Sequence, residues 1–227
     1  MNKLTAKSIT LIVAIAVVVT ALIGGTVAWI MTETKPVVNT FTYGDINIDL
    51  DETDATWNDQ EDQFEKEFEM IPGNDLLKDP TVTVKADSEA CWLFVKLDKA
   101  GGDVTLADGT ICDFDSYLEY TMAEGWTQLK DGQGNDIVGV FYREVAEIAP
   151  VADGGQDLKL GVIANNQVKV KESVTKEMFN ALDIPGGENK IPTLTITPYA
   201  VQKDNIDTAL QAWTYADAEF NQTQTNP

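Results

Sequence analysis

Ala90-Cys91-Trp92-Leu93-Phe94-Val95-Lys96-Leu97 is the stretch that decides the fold. It is apolar at every position but Lys96, and it is too short for a typical helix. A short, nearly continuous apolar run reads as a central strand buried on both faces. Neighbouring runs supply its partners. Thr81-Val82-Thr83-Val84-Lys85 alternates, and so does Pro192-Thr193-Leu194-Thr195-Ile196-Thr197, which continues past Pro198 into Tyr199-Ala200-Val201-Gln202. Proline has no N–H to give a ladder, so Pro198 predicts an edge strand or a bulge. Trp126-Thr127-Gln128-Leu129 and residues 138–145 flank the glycine-rich Lys130-Asp131-Gly132-Gln133-Gly134-Asn135, a hairpin signal.

The rest of the chain is read in the same way. Residues 40–50 alternate through Phe41, Tyr43, Ile46, Ile48 and Leu50, with a phase slip at Gly44-Asp45. Residues 51–62 and 146–157 are polar and predict loops, while 158–163 and 167–171 predict short strands. Phe64, Phe68 and Met70 suit a strand that ends at the turn Ile71-Pro72-Gly73-Asn74. Tyr117-Leu118-Glu119-Tyr120 fits a strand or a short helix equally well. A helix is predicted over 174–183, with Ser173 as N-cap, Val174, Met178, Phe179 and Leu182 on one face, and Pro185-Gly186-Gly187 as its stop. A second is predicted near 206–216 through Ile206, Leu210 and Trp213, followed by a disordered tail over 221–227. The expected fold is all-β, a jelly-roll-like antiparallel β-sandwich with two short helical excursions, in one domain over 39–220.

The chain has 227 residues, 37 acidic and 16 basic, for a formal charge of −21. Such a surface repels nucleic acid and anionic lipid, favours solubility, and offers loose sites to calcium. Histidine is absent, which removes the usual general base, the commonest zinc ligand and every Ser-His or Cys-His dyad. Carboxylate-only chemistry of the glycosidase kind stays open to an enzyme, but no pair of acids stands out.

Lys3 and Lys7 precede an uncharged apolar run, and Gly24-Gly25-Thr26-Val27-Ala28 closes it with small residues. These are the three parts of an export signal over residues 1–28, with the cut between Ala28 and Trp29. The same run is long enough to span a bilayer, so an uncleaved anchor is the competing reading. Two cysteines fit an oxidising compartment. A hairpin turning on Gly101-Gly102 sets Cys91 opposite Cys112, a candidate disulfide, and two unpaired thiols are the alternative.

Asp49, Asp51, Glu52 and Asp54 lack the glycine and glutamate positions of a calcium loop. Asp131-Gly132-Gln133-Gly134-Asn135-Asp136 has Tyr142 where such a loop needs glutamate, and is better read as a turn. Trp92, Trp126 and Trp213 suit a sugar platform, but strand and helix-face positions favour core. Asn221-Gln222-Thr223 matches a glycosylation triplet.

Gly24-Gly25-Thr26-Val27-Ala28-Trp29, followed by Asn39-Thr40-Phe41-Thr42-Tyr43-Gly44-Asp45-Ile46, resembles the export signal and first strand of the TasA/camelysin family. Ile71-Pro72-Gly73 with Lys78-Asp79-Pro80-Thr81-Val82-Thr83-Val84, and Tyr199-Ala200-Val201-Gln202 with Trp213, resemble later family landmarks; residues 100–170 match nothing closely. The resemblance implies a secreted Gram-positive surface or biofilm-matrix protein, matured by a SipW-type signal peptidase, whose jelly-roll subunits polymerise into extracellular fibres. The segment freed by cleavage then acts as a donor strand, here residues 29–38 with Trp29, Ile30, Met31, Val37 and Val38. The metalloprotease activity described for camelysins does not carry over, because this chain has no histidine. The expectation is a homopolymeric fibre subunit with no catalysis, no resident cofactor, no nucleic-acid partner and no stable membrane association after cleavage. A monomeric cell-surface binding module anchored by an uncleaved first helix is the alternative, and a secreted carboxylate-only hydrolase the third reading.

Overall fold

Cys91–Ala100 forms a ten-residue strand at the centre of the protein, as its apolar run demands. The computed structural model describes residues 45–58, 63–182 and 190–223. In chain order the described strands are β1 (Ile48–Asp51), β2 (Thr56–Asn58), β3 (Gln63–Glu65), β4 (Asp75–Leu77), β5 (Thr81–Val84), β6 (Cys91–Ala100), β7 (Val104–Thr105), β8 (Ile111–Cys112), β9 (Leu118–Glu119), β10 (Thr127–Lys130), β11 (Asp136–Val145), β12 (Leu158–Gly161), β13 (Gln167–Val170) and β14 (Thr193–Gln202). The described helices are α1 (Phe114–Tyr117), α2 (Lys176–Leu182) and α3 (Ala209–Thr223).

The main sheet has the order β10-β11-β6-β14; a second sheet is β1-β5-β12, a third β4-β13-β9, and β2-β3 and β7-β8 are small hairpins. All the strand pairs are antiparallel. β6 pairs along its whole length with β14, from Thr193 opposite Ala100 to Gln202 opposite Cys91. Successive side chains of a strand point to opposite faces. Leu93, Val95 and Leu97 therefore enter one core with Val82, Val84, Leu160, Val168, Val170 and Met178. Trp92 and Phe94 enter a second core with Leu129, Val140 and the α3 residues Ala212 and Trp213. From Cys91 to Leu97 both faces of β6 are thus apolar but for Lys96, because one is covered by sheet and the other by helix, while Asp98, Lys99 and Ala100 are exposed. The result is the expected antiparallel, sandwich-like all-β fold.

A glycine shapes the main sheet. Between the pairs Gln128–Phe141 and Lys130–Asp136 the β10–β11 ladder slips, which leaves extra residues on β11. Gly139 sits in that bulge at φ 72°, with no room for a Cβ against the Leu97 carbonyl. The Gln128 side-chain amide donates to the carbonyls of Ile137 (2.7 Å) and Val140 (2.9 Å), replacing lost ladder bonds.

Several local expectations change. The polar stretch after β1 folds into the β2–β3 hairpin, and 66–70 carries no strand past β3. The ambiguous segment around Tyr117 is both things: α1, closed by a capping box between Asp113 and Ser116, runs directly into β9. That makes three described helices where two were expected. α2 is capped by Thr175, whose hydroxyl accepts from Met178 N–H at 3.3 Å, and not by Ser173. α3 starts after Thr208 and continues to Thr223, into the stretch expected to be disordered. Phe41, Tyr43, Gly44 and the stop at Pro185-Gly186-Gly187 lie outside the described residues.

Candidate assembly surface

A two-sheet sandwich has two seams, and here they differ. At one seam the chain laces the sheets together. Ala123 N–H donates to the Val162 carbonyl (2.9 Å), Ala164 N–H to Thr121 (2.8 Å), and Met122 and Ile163 form a β-bridge. Trp126, at the start of β10, adds its indole N–H to the carbonyl of Gly161 at the end of β12 (2.9 Å). It is only 9% exposed, so this hydrogen bond is well shielded from water.

At the other seam β1 runs close to β14. Among the described residues, however, β1 pairs with β5 alone and β14 with β6 alone. Ile46, Ile48 and Leu50 on one side, and Leu194, Ile196 and Ala200 on the other, pack on the core but are only partly buried. Pro198 lies in β14, the sheet-edge strand that its missing N–H predicted. A strand edge that offers backbone donors and acceptors beside apolar side chains can accept an additional strand.

The residues expected to supply that strand, Trp29, Ile30, Met31, Val37 and Val38, and the cleavage pair Ala28 and Trp29, lie outside the described residues. The cysteine expectation is corrected. No hairpin forms on Gly101-Gly102: Cys91 starts β6, opposite Val145 and Gln202, while Cys112 pairs with Val104 in the β7–β8 hairpin. The backbone of Asp113 abuts Gly102, beyond the far end of β6, so Cys91 and Cys112 lie near opposite ends of a strand about 30 Å long at the usual rise. Both are free and buried. Burial pushes the Cys91 thiol up to about 11, which leaves it protonated and unreactive at neutral pH.

Two of the four clustered acids are held in ion pairs. Asp49 pairs with Lys85 (2.7 Å) and Glu52 with Lys78 (2.8 Å). Asp51 and Asp54 are exposed. The Asp79 carboxylate accepts from Thr53 Oγ1 (2.6 Å) and Thr53 N–H (3.1 Å), and the hydroxyl bond is the main reason that its pKa is lowered. Asp131 accepts from the side chain and backbone N–H of Asn135 and from Gln133 N–H, which closes the β10–β11 turn. Among the described residues no group of three or more acidic or cysteine side chains is placed to hold a metal ion. Trp92, Trp126 and Trp213 are all core residues, and Trp92 donates to the Ile206 carbonyl (2.9 Å).

Sequence reasoning passed over Arg143. It is the only arginine in the chain, a signal that a residue count contains. It stacks on Trp126, its guanidinium carbon 5.5 Å from the ring centroid, at the laced seam. Its Nε is buried without a hydrogen-bond partner. No family profile, curated protein or solved structure matches the chain.

Proposed function

We propose that this chain is a secreted structural subunit which polymerises head-to-tail into an extracellular surface or matrix fibre, and that it performs no catalysis. In this reading a SipW-type peptidase cuts after Ala28, and the freed segment 29–38 leaves its own subunit and joins the β1/β14 seam of a neighbour. The observation that carries the reading is the asymmetry of the seams: one is laced shut, and the other offers edge strands beside half-covered apolar side chains. Burying Trp29 and Ile30 would contribute about 1.5–3 kcal/mol per large side chain, and the added strand would contribute backbone hydrogen bonds. A head-to-tail contact of this kind does not close on itself, so it propagates as a filament. Pro36 has no N–H, so the paired portion of the donor lies before it or skirts it at the edge.

The test is deletion of residues 29–38 from the mature protein, followed by electron microscopy. The expected outcome is a folded subunit that no longer forms filaments; filaments of unchanged yield would refute the donor role. The length of the uncharged N-terminal run favours a second reading, an anchored monomeric surface module. N-terminal sequencing of the exported protein separates the two, since a start at Trp29 supports the fibre and a start at Met1 the anchor.

A further inference from the structure

Arg143 is an anomaly of pairing. Seven described lysines hold carboxylates: Lys78, Lys85, Lys96, Lys99, Lys130, Lys169 and Lys203. Arginine is the better partner for a carboxylate, because its planar fork donates two parallel hydrogen bonds. Yet the one arginine, in a chain with 37 acidic residues, is absent from the ion pairs and side-chain hydrogen bonds of the described residues. Its position is nevertheless fixed. Trp126 lies under the guanidinium, and Gly125, at φ 89°, lies beside it; a Cβ there would stand 3.0 Å from Nη2. Of the three guanidinium nitrogens only Nε is both sealed from solvent and unpartnered; Nη1 and Nη2, beside Gly125, make no hydrogen bond among the described residues and are therefore touched by solvent.

We propose that the Nη1–Nη2 end of Arg143 is a receptor for an aspartate or glutamate side chain of a second copy of this chain. The inference rests on the self-assembly reading and deepens it by naming a polar contact at the laced seam, away from the donor-strand slot. The composition favours this occupant. Mature copies, at −23 once Lys3 and Lys7 leave with residues 1–28 (14 basic against 37 acidic), repel one another, so a cation set against a carboxylate relieves repulsion at a contact, and every copy carries carboxylates in excess. A pre-positioned arginine stacked on tryptophan also has the composition of an interface anchor, since both residues are enriched among the few side chains that dominate binding. A sugar platform does not suit the site, because Trp126 is almost fully buried and the guanidinium lies over its ring.

The experiment measures the concentration at which the mature full-length protein assembles, by light scattering and electron microscopy. The variants are Arg143→Gln, Arg143→Met and Arg143→Lys, with Lys176→Gln as a control. Lys176 is exposed, and changing it alters net charge by the same amount. The methionine variant keeps an apolar stem over Trp126, and thermal melts report whether each variant folds. The expected result is that Arg143→Gln and Arg143→Met, folded, require roughly tenfold more protein to assemble. Arg143→Lys should fall between them and the parent, and Lys176→Gln should match the parent. Equal assembly of the folded Arg143 variants and the parent would overturn the receptor, as would an equal shift in Lys176→Gln. If deletion of residues 29–38 still abolished filaments in that case, the donor-strand reading would survive alone. A parent that stays monomeric, whether or not it binds acetate or a uronate polymer, would overturn both.

Discussion

The two seams of the sandwich solve the same problem in different ways. Every sandwich must cover the sides of its core where one sheet gives way to the other. At the 121–126/161–164 seam the chain does this with its own backbone, a β-bridge and the Trp126 indole. At the β1/β14 seam the described residues place two edge strands near each other and leave six apolar side chains half-covered. One seam thus holds the subunit together, and the other is the seam that the fibre proposal assigns to a neighbouring copy. Stability and assembly should respond separately to mutation at the two places.

Truncating Trp126 to alanine should give the largest loss of stability. It empties a buried aromatic site and orphans the Gly161 carbonyl, so about 3–5 kcal/mol is expected from chemical denaturation. Ile196→Ala at the other seam removes a partly buried side chain, and should cost no more than about 2 kcal/mol while weakening assembly. A reversed order of these two effects would break the comparison.

A smaller effect comes from acid. Asp79 ties down the loop after β1 through Thr53, and its pKa is lowered from the ordinary 3.8, chiefly by the Thr53 hydroxyl bond. A carboxylate whose folded pKa is depressed adds stability above the unfolded value, and that stability is lost as pH falls through the folded one. Asp79→Asn should therefore lower stability at pH 7 and flatten its decline below about pH 4; an identical acid limb in both proteins would count against the bond. The mildest probe is thiol labelling. Cys91, pushed up to about 11 by burial, and Cys112, also buried, should both resist a thiol reagent in the native protein at pH 8, and both should react on unfolding without reductant. A non-reactive unfolded protein would restore the disulfide.

Much of the fold was legible in local pattern. The apolar run of β6, the alternation of β5 and β14 and the glycine-rich turn between β10 and β11 appear where they were expected. So does the turn at Pro72-Gly73, closed by Asn74 N–H on the Ile71 carbonyl at 3.0 Å. Pro198 even announced its edge position. Errors arose where two local preferences were balanced or where a partner lay far away in sequence. Thr175 outcompeted Ser173 as a cap because the register of α2 is set by burying Met178 and Leu182. The cysteine hairpin failed because β6 runs on to Ala100 and pairs with β14, which is about a hundred residues away.

The sequence by itself determined the strands with a clear apolar or alternating pattern, β5, β6 and β14, that the run from Cys91 to Leu97 is buried on both faces, and that histidine chemistry is impossible here. Those properties are written in side-chain type and in a period of two, which need no distant partner. Only the tertiary structure decided that β1 stands at an edge beside β14, that Cys91 and Cys112 lie apart, and that Arg143 settles on Trp126 with no acid to hold among the described residues. Edges, separations and pairings depend on where the chain returns after long excursions, and the net packing of the whole core chooses among those returns.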